Sequence, residues 1–558
     1  MAVKTYRLLT AALAGIVLAT GATVPALAAS TPGADRKSDA VPTPELGWYR
    51  CYEIAECATV DLPLDYDQPR GAQIEIAVLR IKAKDQKHKI GSLFLNPGGP
   101  GGPATQVALA APQFLGDSLL AKFDIVGVDP RGIGASTQVK CFESVKAQSE
   151  VLSLRNVPFP VGKTEERRYV EGSKLLGEAC STTGAKIAGA MSTAEVARDM
   201  DVMRRAVGDQ KLNYLGFSYG SILGQYYANM FPDRFRALVI DGVLDPRGWV
   251  GSDTKRILDA RLRSSEGAYK ALIEILRRCD RAGEKYCAFA AGDPVRNFDT
   301  ITRKLLEKPL VITGDGMTVT ITYAVFVNAV LRALYSPNAG AEVTAIAAQI
   351  QSAQGGGSTA ELSRRIHRAA GYDFPYDNGP EAGLSVVCTD GLHPRDAGMW
   401  PAATARRDRA AKYFGRAWGW LDSACARNTW TVRDEDAYTG PFDRRTAAPV
   451  LVVGSIWDPA TNYAGAVASS RLLPNSRLLS SNNWGHTGYG TGPCVTSKIN
   501  DYLLTGKPPA RGTFCTDAPQ PFTEPLPTGQ PSTTAASTGK RLPPVATPLP
   551  ASVLTPGR

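Results

Sequence analysis

Three residues of this chain have the types and surroundings needed to move an acyl group: Ser218, Asp458 and His486. A serine hydroxyl is a weak nucleophile at neutral pH. It needs a base within hydrogen-bond reach, and the base needs a carboxylate to orient it. Ser218 lies at the centre of Gly216-Phe217-Ser218-Tyr219-Gly220. Alone, Gly-x-Ser-x-Gly is imitated by any Gly/Ser-rich turn, so its flanks decide its weight. Residues 212–217 read as a short buried strand, and residues 221–229 as a helix stopped near Pro232. A serine on so sharp a strand-to-helix turn has strained dihedrals and an exposed hydroxyl. The helix N-terminus behind it favours a developing oxyanion.

With only four histidines in the chain, the search for the base is short. His88 and His367 lie in charged surroundings, and His393 sits in a Leu-His-Pro loop. His486 lies in Asn482-Asn483-Trp484-Gly485-His486-Thr487-Gly488-Tyr489-Gly490, a Gly-punctuated loop directly after the last predicted strand. Asp458 ends Leu451-Val452-Val453-Gly454-Ser455-Ile456-Trp457-Asp458-Pro459, beyond another buried strand. An Asp-Pro turn is its plainer role. Asp241 and Asp245, after the preceding strand, compete for the place of the acid. The order Ser, Asp, His is that of α/β-hydrolases.

An oxyanion needs N–H donors. Pro97-Gly98-Gly99-Pro100-Gly101-Gly102 follows a predicted strand at 91–96, and its glycines let backbone N–H groups approach a reacting carbonyl. No Gly-Lys-Ser/Thr follows, which argues against a phosphate loop. Pro100 has no N–H, so Gly99 is the expected donor, with Tyr219 as the second. Asp129 and Arg131, in Asp129-Pro130-Arg131-Gly132-Ile133-Gly134-Ala135-Ser136, are expected to brace the neighbouring loops.

The elements that position these residues alternate between strand and helix from about 74 to 243, which argues for a mostly parallel, doubly wound sheet. About 200 chiefly helical residues then intervene before strand pattern resumes at 450–454 and 477–481. The expected fold class is α/β: an α/β-hydrolase fold with a large, mainly helical cap over the C-terminal edge of the sheet, where such sheets bind ligands. The boundaries read as core 47–246, cap 247–446 and core 447–515. Residues 29–46 read as a disordered or propeptide segment, and the Pro/Thr/Ser-rich residues 516–558 as a flexible tail.

Residues 1–28 read as an export signal. Lys4 and Arg7 form a charged start, residues 8–18 an apolar run too short to span a membrane, and Ala26-Leu27-Ala28 a cleavage site. The net charge of +10 becomes +8 when Lys4 and Arg7 leave. Basic residues are interspersed with acidic ones, so no nucleic-acid footprint is expected, nor stable membrane association. Ten cysteines in an exported chain suit disulfides, with pairing of sequence neighbours expected. No C-x-x-C occurs, and no metal site is expected.

On Asn96-Pro97-Gly98-Gly99-Pro100-Gly101, Asp129-Pro130-Arg131-Gly132-x-Gly134-x-Ser136, Gly216-Phe217-Ser218-Tyr219-Gly220, Asp458-Pro459-x-Thr461 and Gly485-His486-Thr487-Gly488-Tyr489-Gly490, the chain resembles the secreted tripeptidyl aminopeptidases of the prolyl-iminopeptidase-like α/β-hydrolase superfamily. The resemblance spans about residues 47–515. It implies removal of a tripeptide or short unit from a free peptide N-terminus, with no cofactor. An aminopeptidase must hold a substrate ammonium, and Asp373, Asp377, Glu381 and Asp390 crowd one segment that could serve. An esterase, lactonase or amidase acting on a small metabolite is the alternative. Oligomeric state is not legible.

Overall fold

Short runs of apolar and β-branched residues form one ten-stranded sheet. The computed structural model describes residues 34–314, 317–356, 376–526 and 543–544. Its first strands are β1 (Tyr49–Cys51), β2 (Ala55–Pro63), β3 (Gln73–Ile81), β4 (Gly91–Asn96), β5 (Phe123–Val128), β6 (Leu212–Phe217) and β7 (Phe235–Asp241). A separate hairpin follows, β8 (Leu310–Gly314) against β9 (Met317–Ile321). The sheet is completed by β10 (Val450–Trp457), β11 (Ser476–Trp484) and β12 (Phe514–Cys515). Its order is β1-β2-β3-β5-β4-β6-β7-β10-β11-β12. Pairing is parallel from β5 through β4, β6, β7, β10 and β11 to β12. The β1, β2 and β3 edge is antiparallel. This is the α/β-hydrolase fold.

Every residue of β4, β5 and β6 is buried, as parallel strands covered on both faces require. Alternation assigns the two faces. Phe94, Val126, Tyr214 and Ile240 pack beneath the Thr193–Ala206 and Gly220–Met230 helices. Leu93, Leu95, Leu215 and Val453 meet the Ala104–Phe114 and Pro493–Thr505 helices. Ser192 caps the Thr193–Ala206 helix, its side chain accepting from the Glu195 N–H.

The helical region between β7 and β10 does not pack as one block. Its own core, with Leu272, Ile275, Phe298, Val327 and Val343, also takes Phe159 and Tyr169 from the insertion after β5 and Trp484 from β11. Conversely, the Gly379–Asp390 helix places Ala382, Val386 and Cys388 in the cluster on the sheet face. The apolar stripe at 257–276 is also broken. Arg263, at φ 62°, divides a Leu258–Leu262 helix from a Ser264–Ala282 helix.

Five disulfides join sequence neighbours: Cys51–Cys57, Cys141–Cys180, Cys279–Cys287, Cys388–Cys425 and Cys494–Cys515. Of the segment 29–46, expected to be disordered or a propeptide, residues 34–46 lie ordered against the core. Ser38 is buried and donates to Asp201 (2.9 Å), while Arg198 and Arg205 reach Asp35 and the Val41 carbonyl. Their anchors are charges on a distant helix, which composition does not reveal. The start of the expected tail is likewise tied down. Gln520 accepts from Arg278 Nη1 (2.7 Å) and Trp484 Nε1 (3.2 Å). The expected signal at 1–28 lies outside the described residues, as does most of the tail beyond 526. No helix among the described residues is long and apolar enough to cross a membrane.

Candidate active site

Ser218 stands between the end of β6 and the Gly220–Met230 helix with φ 57°, a left-handed conformation costing a non-glycine residue about 1–3 kcal/mol. Surrounding bonds hold it there. Its N–H donates to the Asp241 carbonyl (2.9 Å), and its own carbonyl accepts from the Ser221 N–H (2.8 Å). The Gly/Pro loop after β4 closes over this turn. Gly98, at φ 82°, donates its N–H to Asn96 Oδ1 (2.9 Å). A Cβ on Gly98 would lie 2.4 Å from the Phe217 carbonyl oxygen and 2.8 Å from Ser218 Cβ, so no larger residue fits. Among the described residues, neither the Gly99 N–H nor the Tyr219 N–H has an acceptor.

Asp458 follows β10, and His486 follows β11 on the neighbouring strand. His486 Nδ1 donates to the Asp458 carboxylate, at 3.0 Å from Oδ1 and 2.9 Å from Oδ2. The carboxylate also accepts from the N–H groups of Ala460 and Thr461 (2.8 Å each), the Thr461 hydroxyl (2.7 Å) and the Thr487 N–H (3.1 Å). Burial works against its ionisation. The adjacent His486 and these donors outweigh it and hold the carboxyl below its ordinary value. Asp241, the competing acid, makes no bond to His486. Its oxygens accept from the N–H groups of Gly488 and Tyr489 (2.8 Å each), bracing the loop that carries the histidine. Burial pushes its pKa up to about 6.

The end of β7 joins the two halves. The Asp241 carbonyl holds the Ser218 N–H, and the next residue, Gly242, lies against the histidine. At φ 68°, a Cβ on Gly242 would sit 3.2 Å from His486 Cε1 and 3.0 Å from Thr487 Cγ2. His486 Nδ1 is spent on Asp458, whereas its Nε2 has no partner among the described residues. His393 also forms a buried pair with a carboxylate, Asp422 (3.1 Å), but its Nε2 lies 3.0 Å from the Val387 carbonyl. Both of its nitrogens face buried acceptors of the protein, so neither is turned toward a nucleophile. His88 is exposed beside Asp85, and His367 lies outside the described residues.

Asp129 and Arg131 brace this edge. Asp129 accepts from the N–H and hydroxyl of Thr105 and the N–H of Ala135. Arg131 is fully buried, donating to Asp199, Glu195 and the carbonyls of Pro63, Leu64 and Ala190.

The acidic segment expected to hold a substrate amine is not gathered into a pocket. Asp373 lies outside the described residues. Asp377 is exposed and accepts from the Gly379 N–H of its own loop. Glu381 is buried and accepts from the Cys141 N–H, Gln148 and Tyr376. Asp390, also buried, accepts from Thr193 and Trp249, and burial pushes its pKa up to about 6. Glu381 and Asp390 are occupied by protein donors because the Gly379–Asp390 helix docks on the core. Among the described residues, Asp65, Asp67 and Glu435, and separately Glu195, Asp434 and Asp436, approach metal-ligand spacing. Arg198 donates into the second group.

Residues 91–260 match the family model described as alpha/beta hydrolase fold, and residues 411–515 the one described as TAP-like protein. The tripeptidyl aminopeptidase of Streptomyces lividans is 31% identical over 480 residues, covering 82% of this chain and 83% of that protein. Carboxylesterase B of Mycobacterium tuberculosis is 31% identical over 513 residues, covering 89% and 94%. Serine protease Hip1 of the same species is 30% identical over 479 residues, covering 83% and 87%.

Proposed function

The chain belongs to the tripeptidyl aminopeptidase family of α/β-hydrolases and is a serine hydrolase, and from that premise we propose a secreted exopeptidase with Ser218, His486 and Asp458 as its catalytic triad. It releases tripeptides or short units from free peptide N-termini. The observation that carries this reading is the Asp458–His486 pair, set beside the Ser218 turn by Gly242. Ser218 Oγ attacks the scissile carbonyl while His486 Nε2 takes its proton. Asp458 holds the tautomer with Nδ1 protonated and stabilises the imidazolium. The tetrahedral oxygen is received by the N–H groups of Gly99 and Tyr219. Collapse expels the amine, protonated by His486, and water then cleaves the acyl-enzyme by the same relay. This chemistry calls for no cofactor.

The exopeptidase part rests on the helical region, which we read as a cap. The Tyr335–Pro337 backbone abuts Gly485, and Gly267 abuts the Asp458 carbonyl, so helices sit directly on the loops bearing the acid and base. Such a roof favours chain ends over folded proteins. Five disulfides suit the oxidising conditions met on export. Free and N-acetylated tripeptidyl p-nitroanilides test the reading. Loss of the amine's charge-assisted hydrogen bond, about 1.5–3 kcal/mol, lowers kcat/KM roughly 10- to 100-fold. Equal rates, or turnover of acyl p-nitrophenyl esters alone, would favour the esterase reading, which the similarity to carboxylesterase B also supports.

A further inference from the structure

The side chain of Tyr219, the residue after the nucleophile, is gripped at two points, and both grips end on one carboxylate. The Tyr219 hydroxyl lies 2.6 Å from the Thr193 hydroxyl, and its ring packs on Trp249 at 5.5 Å. Thr193 gives its hydroxyl to Asp390 Oδ2 (2.5 Å) and its N–H to Oδ1 (2.7 Å). Trp249 Nε1 donates to the same Oδ2 (2.8 Å). All of these groups are buried, and the donors to Asp390 among the described residues, Thr193 and Trp249, are neutral. An ionised carboxylate only accepts, so the chain has one polarity: Tyr219 O–H to Thr193, and Thr193 O–H to Asp390. The helix bearing Asp390 also touches the other side of the oxyanion site. A Cβ on Gly383 would lie 2.7 Å from the Pro100 carbonyl oxygen, on the loop that carries Gly99. One helix, held by the Cys388–Cys425 disulfide, thus supports both N–H donors.

We propose that Asp390 is a positioning residue for the reaction: through Thr193 and Trp249 it fixes Tyr219, and with it a backbone N–H of the oxyanion hole. The inference rests on the serine-peptidase reading. It replaces the sequence expectation that Asp390 binds a substrate amine. Oxyanion donors act only when held about 2.7–3.1 Å from the developing charge. A slack Tyr219 therefore weakens transition-state binding more than substrate binding. In Asp390→Asn the amide NH₂ opposes either the Thr193 N–H, at the Oδ1 place, or the Trp249 N–H and the Thr193 hydroxyl together, at the Oδ2 place. Thr193→Val removes the hydroxyl while keeping its shape, and Thr193→Ser keeps the hydroxyl.

The test uses the purified full-length enzyme, a tripeptidyl p-nitroanilide and a p-nitrophenyl ester, a tripeptidyl boronic acid as transition-state mimic, and fluorophosphonate titration of Ser218. Asp390→Asn and Thr193→Val are expected to lower kcat roughly 10- to 100-fold with KM within about threefold. Boronate affinity weakens in parallel, and Thr193→Ser stays near wild type. If Asp390→Asn does not fold, Thr193→Val and Tyr219→Phe carry the test. Unchanged kcat and boronate affinity with a lowered Tm would make the network merely structural. A raised KM with unchanged kcat would return Asp390 to substrate binding. Either result overturns the proposal. Failure of fluorophosphonate to label Ser218 in the wild type would instead overturn the parent reading.

Discussion

Two buried carboxylates end neighbouring strands beside the histidine loop, and exchanging each for its amide separates their roles. Asp458 receives His486 Nδ1 together with four other donors from Ala460, Thr461 and Thr487. In Asp458→Asn, one carboxylate oxygen becomes an NH₂. If that NH₂ faces Nδ1, the imidazole must place its proton on Nε2, and it can no longer accept one from Ser218. The expected loss in kcat is about 10⁴-fold, or about 5 kcal/mol of transition-state stabilisation. Asp241→Asn opposes an NH₂ to the N–H of Gly488 or Tyr489. That leaves one buried donor unsatisfied, costing about 1–3 kcal/mol of stability. It displaces the histidine loop without changing the tautomer, so activity falls by at most about 10²-fold. Steady-state kinetics on a tripeptidyl p-nitroanilide, with urea unfolding of each variant, measures both. A crippled Asp241→Asn beside a nearly active Asp458→Asn would refute the assignment.

Ser218→Ala is expected to fold normally while losing about 10⁴-fold or more in turnover, and intact-mass analysis should show no fluorophosphonate adduct. Arg131→Met leaves Glu195 and Asp199 without their shared cation in a buried site, and should cost about 3–5 kcal/mol of stability by urea unfolding. Asp241 also makes stability depend on pH. Its folded pKa of about 6 lies above its ordinary 3.8, so the folded state binds the extra proton between these values. That contribution is complete below about pH 4 and is lost as pH rises through 6. The stability cost of Asp241→Asn should therefore shrink by about 2 kcal/mol between pH 4 and pH 7, measured by urea midpoints at both.

What could be read from the sequence was local or periodic. The strand–Ser218–helix turn lies within one continuous stretch, and the wholly buried β4, β5 and β6 read as apolar runs because both sheet faces are covered. The choice of acid was different. Asp241 ends β7 and Asp458 follows β10, two buried parallel strands paired with each other, and no spacing rule says which one the loop after β11 will meet. The paired positions Gly454–Ser480 and Ser455–Ser481, followed by the irregularity before Trp457–Trp484, set the final relation of Asp458 to His486. The same limit explains the acidic segment. Asp377, Glu381 and Asp390 looked like one exposed group, but their partners Cys141, Gln148, Thr193 and Trp249 come from distant parts of the chain. Burial with such donors turned two of the three from candidate ligands for a substrate amine into struts. A buried carboxylate without a cation is costly unless its donors are already aimed at it. Asp390 has three such donors, and all of them come from Thr193 and Trp249, the two residues that hold Tyr219. The contacts that keep that charge tolerable are therefore the contacts that set the geometry next to Ser218.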